Sequence, residues 1–215
     1  RVSIRSMEWL LEAGAGVPMN WSAAEREFTL DSHCWTSLPA RLCAPEQLIV
    51  GPDNGQLAIN LTDLRAERLA SFLPEGLAWD GSIEGDMQAR WDQGQTPVAH
   101  ARLLTGNGAV YLARDDAEPL ILRYDQLSLE LDADKVSVRP RLQLASAELG
   151  QGHLEAVINP YAEGKPLTGE VALSGLRLEL LQPFFPALSA LTGRINGQGR
   201  LEGVLAKPRY WGNIE

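Results

Sequence analysis

Aromatic residues occupy only 7% of the 215 positions, and histidine and cysteine are scarcer still, at three and two. His33, His100 and His153 lie far apart in sequence, and two cysteines alone cannot supply the three or four converging ligands of a zinc site. Basic residues are outnumbered, 19 Lys and Arg against 28 Asp and Glu, for a net charge of −9. That excludes the basic footprint of a nucleic-acid binder and disfavours electrostatic adsorption to an anionic lipid surface. Apolar runs are short, so nothing in the sequence reads as a membrane-spanning segment. There is no initiator methionine and no signal-peptide pattern, and the chain reads as an internal fragment of a longer protein.

Catalytic signatures are lacking too. Glu84 and Asp86 share the polar face of one predicted strand, but no sugar cleft goes with them. The glycines of GQGHLEA and NGQGR have no strand–GxGxxG–helix context for phosphate. Asp115, Asp116 and Glu118 lack the spacing of a calcium loop and read as a solvated turn. No cofactor and no metal is expected, and the chain is not expected to be an enzyme.

What the sequence does contain is a repeat. Leu61 to Ala89 and Leu173 to Leu201 align without gaps at an offset of 112, with 11 of 29 positions identical. Unrelated segments of that length share roughly two. Each copy reads as a short helix ended by proline, followed by a strand led by glycine. In the first copy Asp63–Leu73 reads as the helix, with Asp63 as its cap and Pro74 and Gly76 as its stop. In the second, Pro183 and Pro186 break it.

Between and around the copies the pattern is period two. QLSLELDA places Leu127, Leu129, Leu131 and Ala133 on one face and Ser128, Glu130 and Asp132 on the other. Similar strands, bounded by Gly, Pro, Asn or Asp, recur every 8–12 residues or so. The chain therefore reads as all-β with two short helices. A strongly curved antiparallel sheet, half-barrel in form, covers its own dry face; a β-sandwich is the alternative. Gly85, Gly169, Gly197 and Gly199 fall on dry positions, where a tight core would prefer bulk. That favours a bent sheet around an incompletely filled apolar groove, spanning residues 1–215 as one continuous segment.

An apolar groove suits an apolar guest. At about 0.8 kcal/mol per buried methylene, a chain of about 14 methylenes gains on the order of 10 kcal/mol before ordering costs. Simple core packing is the other explanation of the same stripes. The expected groove residues are Leu57, Ile59, Ile83, Met87, Val110, Leu112, Leu127, Leu129, Leu131, Val136, Val138, Leu142, Leu144, Leu154, Ala156, Ile158, Val171, Ile195 and Leu201. Cys34 and Cys43, in CWTSLPARLC, are either free thiols or a disulfide closed by a hairpin around Leu38-Pro39. A disulfide would indicate an oxidising compartment, with Trp35 packing on it.

LRAERLASFLPEGLAWDGSIEGDMQARW, its echo LRLELLQPFFPALSALTGRINGQGRLEG, and DSHCWTSLPARLC together resemble the TamB family of Gram-negative bacteria, within the AsmA-like, bridge-like lipid-transport group. The resemblance is strongest over Leu73 to Gly85 and covers the chain from about Asp31 onward. It implies a β-taco fold, a location in the periplasm, and a parent anchored in the inner membrane that meets the outer-membrane protein TamA through parts outside this chain. It implies conduction of phospholipids, through their acyl chains, between the inner and outer membranes. The alternative role is a scaffold for outer-membrane β-barrel assembly by β-augmentation. On this reading the chain is a middle or late section of the parent, and its exposed groove offers a surface for self-association.

Overall fold

The structure is a computed structural model. It describes residues 2–4, 7–12, 16–93, 95–114, 117–179 and 192–215. The first strands are short: β1 (Val2–Ile4), β2 (Met7–Leu11), β3 (Met19–Ser22), β4 (Glu27–Leu30), β5 (His33–Ser37), β6 (Ala40–Ala44) and β7 (Leu48–Val50). Longer ones follow: β8 (Gly55–Arg65), β9 (Leu77–Asp80), β10 (Ser82–Trp91), β11 (Val98–Thr105), β12 (Gly108–Arg114), β13 (Ala117–Tyr124) and β14 (Gln126–Ala133). The last five are β15 (Val138–Ser146), β16 (Gly150–Ile158), β17 (Pro166–Arg177), β18 (Arg194–Val204) and β19 (Lys207–Ile214).

Sixteen of these strands form one antiparallel sheet. Its main path runs β1-β2-β5-β6-β8-β10-β11-β14-β15-β16-β17-β18-β19, and β3, β4 and β7 branch from β8. The sheet is curved and does not close into a barrel. β8 supports the branch because it is long: Leu61 and its neighbours pair with β6, while Gly55 and Gln56 pair with β7. The MEWLL stretch is the strand β2.

The two repeat copies share hydrogen bonds as well as letters. In the first, Ile83 faces Leu64 and Gly85 faces Leu61, so β8 carries one extra residue. In the second, Ile195 faces Leu176 and Gly197 faces Leu173, with the same surplus in β17. The extra residue is a β-bulge, which twists a strand and turns it out of its ladder. Each bulge holds a residue with positive φ, Asp63 at 54° and Gly175 at 60°, 112 positions apart. Just beyond, Ala66 N donates to Gly81 O at 2.9 Å and Leu178 N to Gly193 O at 3.0 Å. The repeated unit is thus a bulge, an excursion and a glycine-led return.

The first excursion differs from its expected form. Asp63 lies within β8 and caps nothing; its carboxylate accepts from the Ser82 hydroxyl at 3.1 Å. The helix is a short 3₁₀ segment, Ala66–Phe72, whose N-cap Arg65 makes no side-chain cap. Arg65 and Ala66 are tied into the sheet by pairing with Ser82 and Gly81, which delays the helix start. The second helix, around Pro183 and Pro186, lies outside the described residues, as do Asp115 and Asp116.

A separate three-stranded sheet, ordered β13-β12-β9, is built from the excursions β8→β10 and β11→β14. It packs against one end of the large sheet. Leu112, Leu122, Tyr124 and Leu149 form its buried core, with Leu77, Trp79, Val110, Leu120, Leu127 and Leu144 around them. Trp79 Nε1 donates to the Tyr124 hydroxyl at 2.6 Å, so two partly polar aromatic rings are satisfied inside this core. Trp79 also touches the neighbouring cluster of Trp9, Ala40, Leu64, Ala66 and Ile83. The packed core therefore sits along one rim of the large sheet, where the excursions fold back, and among the described residues no full second sheet forms a sandwich.

Candidate functional site

The register aligns the apolar positions of successive strands into rows that cross the sheet. The central row runs Leu11, Trp35, Leu42, Leu61, Gly85, Leu103, Leu129, Leu142, Leu154, Val171, Gly199 and Gly212, each the direct partner of the next. No polar side chain interrupts these twelve strands. On one side lies the row Leu64, Ile83, Thr105, Leu127, Leu144, Gly152, Leu173, Gly197 and Ile214. On the other lie Ile59, Met87, Ala101, Leu131 and Pro140, continued by Ala156, Gly169, Leu201 and Tyr210. An outermost row runs Leu57, Ala89, Ala99, Ala133, Val138, Ile158, Leu167, Gly203 and Pro208.

These rows differ in what covers them. At the rim with the excursions, Leu64, Ile83 and Thr105 are buried. One row inward, Leu103, Leu129 and Leu142 are 42%, 40% and 39% exposed, and Met87 and Leu131 are 37% and 38% exposed. A contiguous apolar floor is therefore left uncovered in the middle of the sheet. Every strand of that floor is paired on both sides, so it presents side chains without unpaired backbone groups.

Of the residues expected in the groove, fifteen lie in these four rows. Ile195 faces Leu176 beside the second bulge, at the same rim as Ile83. Two others are elsewhere: Val110 and Leu112 belong to the small sheet and cover the floor's end. The GAVYLAR alternation is a genuine strand, but alternation alone does not say which sheet a strand joins. Val136 is in the turn between β14 and β15 and is 63% exposed, because Asp134 starts a tight side-chain-bonded turn there. Leu61, Leu103 and Leu42 were missed; their central place follows from the register with strands distant in sequence.

The dry-face glycines leave less space than expected. A Cβ on Gly199 would meet the Tyr210 ring at 2.6 Å, and one on Gly212 the Tyr210 hydroxyl at 2.6 Å. Tyr210 thus lies over both glycines. Leu103 covers Gly85 in the same way, with its Cδ2 at 2.6 Å from that position. These glycines let neighbouring side chains lie flat against the sheet; they are not holes.

The opposite face carries charge in register. Asp86, Arg102, Glu130, Arg141 and Glu155 are successive partners with alternating sign. Arg141 reaches Asp132 at 3.0 Å, Glu155 at 3.2 Å and Glu130 at 3.6 Å, and His100 Nδ1 lies 2.8 Å from Asp132 Oδ1. The His100 hydrogen bond, assisted by Arg141, holds the Asp132 carboxyl below its usual range, and Glu155 raises the Arg141 guanidinium. Such half-exposed pairs add little stability singly. Their effect is on register, since a one-residue slip would turn these charges onto the apolar floor.

Cys34 and Cys43 are joined as a disulfide between directly opposed residues of β5 and β6. Trp35, one residue on, points to the other face and packs with the Trp9 cluster, not on the bridge. No group of side chains able to hold a metal ion occurs among the described residues. No helix among them is long and apolar enough to cross a membrane.

An open, curved antiparallel sheet with one apolar face and one charged face defines the class: an all-β, taco-like protein. Over residues 2–215 the chain matches the family model described as TamB, N-terminal domain, and it belongs to the TamB family. The matched model is the family's N-terminal domain, where the sequence reading expected a middle or late section. The family is a transport and assembly module, not an enzyme family. No solved structure matches the chain.

Proposed function

We propose that the apolar floor holds and conducts phospholipid acyl chains in the periplasm, between the inner and outer membranes. The observation that carries this is the uncovered middle of the central row, where Leu103, Leu129 and Leu142 remain about two-fifths exposed while both neighbouring strands satisfy every floor backbone. An extended peptide laid on such a floor would bury its own N–H and C=O groups without partners, at a cost of roughly 1–3 kcal/mol per group. An acyl chain has no such groups and gains about 0.8 kcal/mol per methylene covered. The continuity of the rows across strands suits sliding, because the guest meets the same aliphatic surface at each step of about 4.8 Å. The charged face opposite remains in water. The Cys34–Cys43 disulfide supports an oxidising compartment such as the periplasm.

Native mass spectrometry of the chain, purified without detergent and exposed to phospholipid vesicles, tests this reading. Co-purified or acquired phospholipid is expected. A folded chain that neither retains nor acquires lipid overturns it.

A second reading, capture of nascent outer-membrane strands by β-augmentation, has one observation in its favour. Among the described residues β19 pairs only with β18, which leaves one edge of an eight-residue strand free. Photo-crosslinkers separate the two: lipid adducts at Leu129 support conduction, and polypeptide adducts at β19 support the scaffold.

A further inference from the structure

The two rims of the trough are built differently, and the difference follows the chain's connections. At one rim the links are residues 66–81, 106–125, 147–149 and 178–193; at the other they are 92–97, 134–137, 159–165 and 205–206. Three of the first four links are long excursions, whereas the second set are turns. The small sheet and the 3₁₀ helix therefore arise from one rim only. Both repeat bulges lie at that rim too, and six strand spacings, about 29 Å, separate them.

The consequence for the trough is a closed side and an open side. On the closed side the floor ends against Leu122 and Leu149, which are fully buried, and against the Trp79–Tyr124 hydrogen bond. A charged group could reach water there only by displacing that core. On the other side, none of the described residues folds back over β11, β14 and β15. The outer row narrows there to Ala99 and Ala133, followed by Val138, all half-exposed. The opening is bounded on one flank by Trp91, which lies across Gly55 and donates to Gly51 O at 2.9 Å. On the other flank Leu167 is buried. Between β10 and β17 this leaves about 24 Å of rim. Its turns supply polar groups: Asp134 and Arg139 form an ion pair at 2.8 Å, and Lys135 Nζ donates to Gln95 Oε1 at 3.3 Å.

The geometry points to a fixed orientation for the bound phospholipid: acyl ends toward the capped rim, headgroup leaving at the alanine-lined rim between Trp91 and Leu167. The inference rests on the trough reading above and adds a direction to it. Its physical basis is the cost of burying a charged phosphate, which forbids the capped rim, combined with small side chains that open a way out opposite. The row spacing means that the headgroup can track along this rim while the tails slide over the central leucines.

The test uses the isotopically labelled 215-residue chain loaded from phosphatidylcholine vesicles that carry a nitroxide either on the headgroup or near the acyl terminus. The rims are about 26 Å apart along β14, far enough for the two labels to be told apart. The headgroup label should broaden the amides of Gln95, Lys135 and Val136 severalfold more than those of Asn107 and Ala147. The acyl label should broaden Leu129 and Leu142 and spare Lys135. Headgroup broadening centred on Asn107 and Ala147, or equal at the two rims, overturns the orientation while leaving the trough reading intact. No broadening of Leu129 or Leu142 by either label overturns both.

Discussion

Replacing Leu129 with aspartate is the most direct test of the floor. Leu129 faces Leu103 and Leu142 across the ladder and is 40% exposed. Burying a leucine completely is worth about 1.5–3 kcal/mol, so covering the exposed two-fifths with an acyl chain contributes about 0.6–1.2 kcal/mol. In Leu129→Asp that gain disappears, and a carboxylate must be dehydrated against aliphatic neighbours. The effective cost is several kcal/mol per ion, and about 3 kcal/mol is a modest choice. The total, about 4 kcal/mol, corresponds to a loss of affinity of roughly 400- to 1,000-fold. In the empty trough the same carboxylate stays in water, so the fold loses only the packing of the covered part, about 0.9–1.8 kcal/mol. Val157→Asp is the control. Val157 is also 40% exposed but alternates onto the charged face, between Ala156 and Ile158. It should lose similar stability and no lipid. The assays are isothermal titration with a soluble short-chain phospholipid and a thermal melt of each variant. If Leu129→Asp binds within threefold of the parent, or if both variants lose the same affinity, the floor is not the binding surface.

The disulfide closes a hairpin of sequence separation 9, and Cys34→Ser with Cys43→Ser should cost about 2–3 kcal/mol in chemical denaturation, matched by adding reductant to the parent. The Asp134 carboxyl is held down to about 2, from 3.8, chiefly by the Val136 and Ser137 N–H groups. Its folded pKa is depressed, so its contribution is complete above pH 3.8 and is lost as the pH falls towards 2. The urea-midpoint difference between the parent and Asp134→Ala should therefore be largest at neutral pH and vanish in strong acid; a constant difference would count against the turn. Leu122→Ala, at a fully buried site of the small sheet, should cost about 2–5 kcal/mol. Hydrogen exchange in that variant should quicken first in β12 and β13, and uniform quickening across β14–β18 would show that the cap and the trough unfold together.

Much of the architecture was legible in the letters. Period-two alternation marks β14, β15 and β17 because one face of each meets water and the other does not. The 112-residue offset marks the bulge units because an αL position and a glycine-led return need particular residues at Asp63 or Gly175 and at Gly81 or Gly193. The charges on the outer face and the opposed cysteines are local facts of the same kind. Alternation could not say which strands share a sheet. Val110 and Leu112 alternate as cleanly as Leu129 and Leu131, yet they cover the floor's end because their strand pairs with β9 and β13. Nor could it assign an occupant to the space above a glycine, since Tyr210 reaches Gly199 and Gly212 only once β18 and β19 are paired.

Sequence by itself determined that this is an antiparallel β protein with a dry face, a charged face and a repeated punctuation, because those depend on backbone period and turn chemistry within a few residues. Tertiary structure alone decided that, among the described residues, the dry face is capped along one rim and bare along the other. That outcome depends on the side to which long connections return and on which sheet their strands join, and both are settled by pairing between residues distant in the chain.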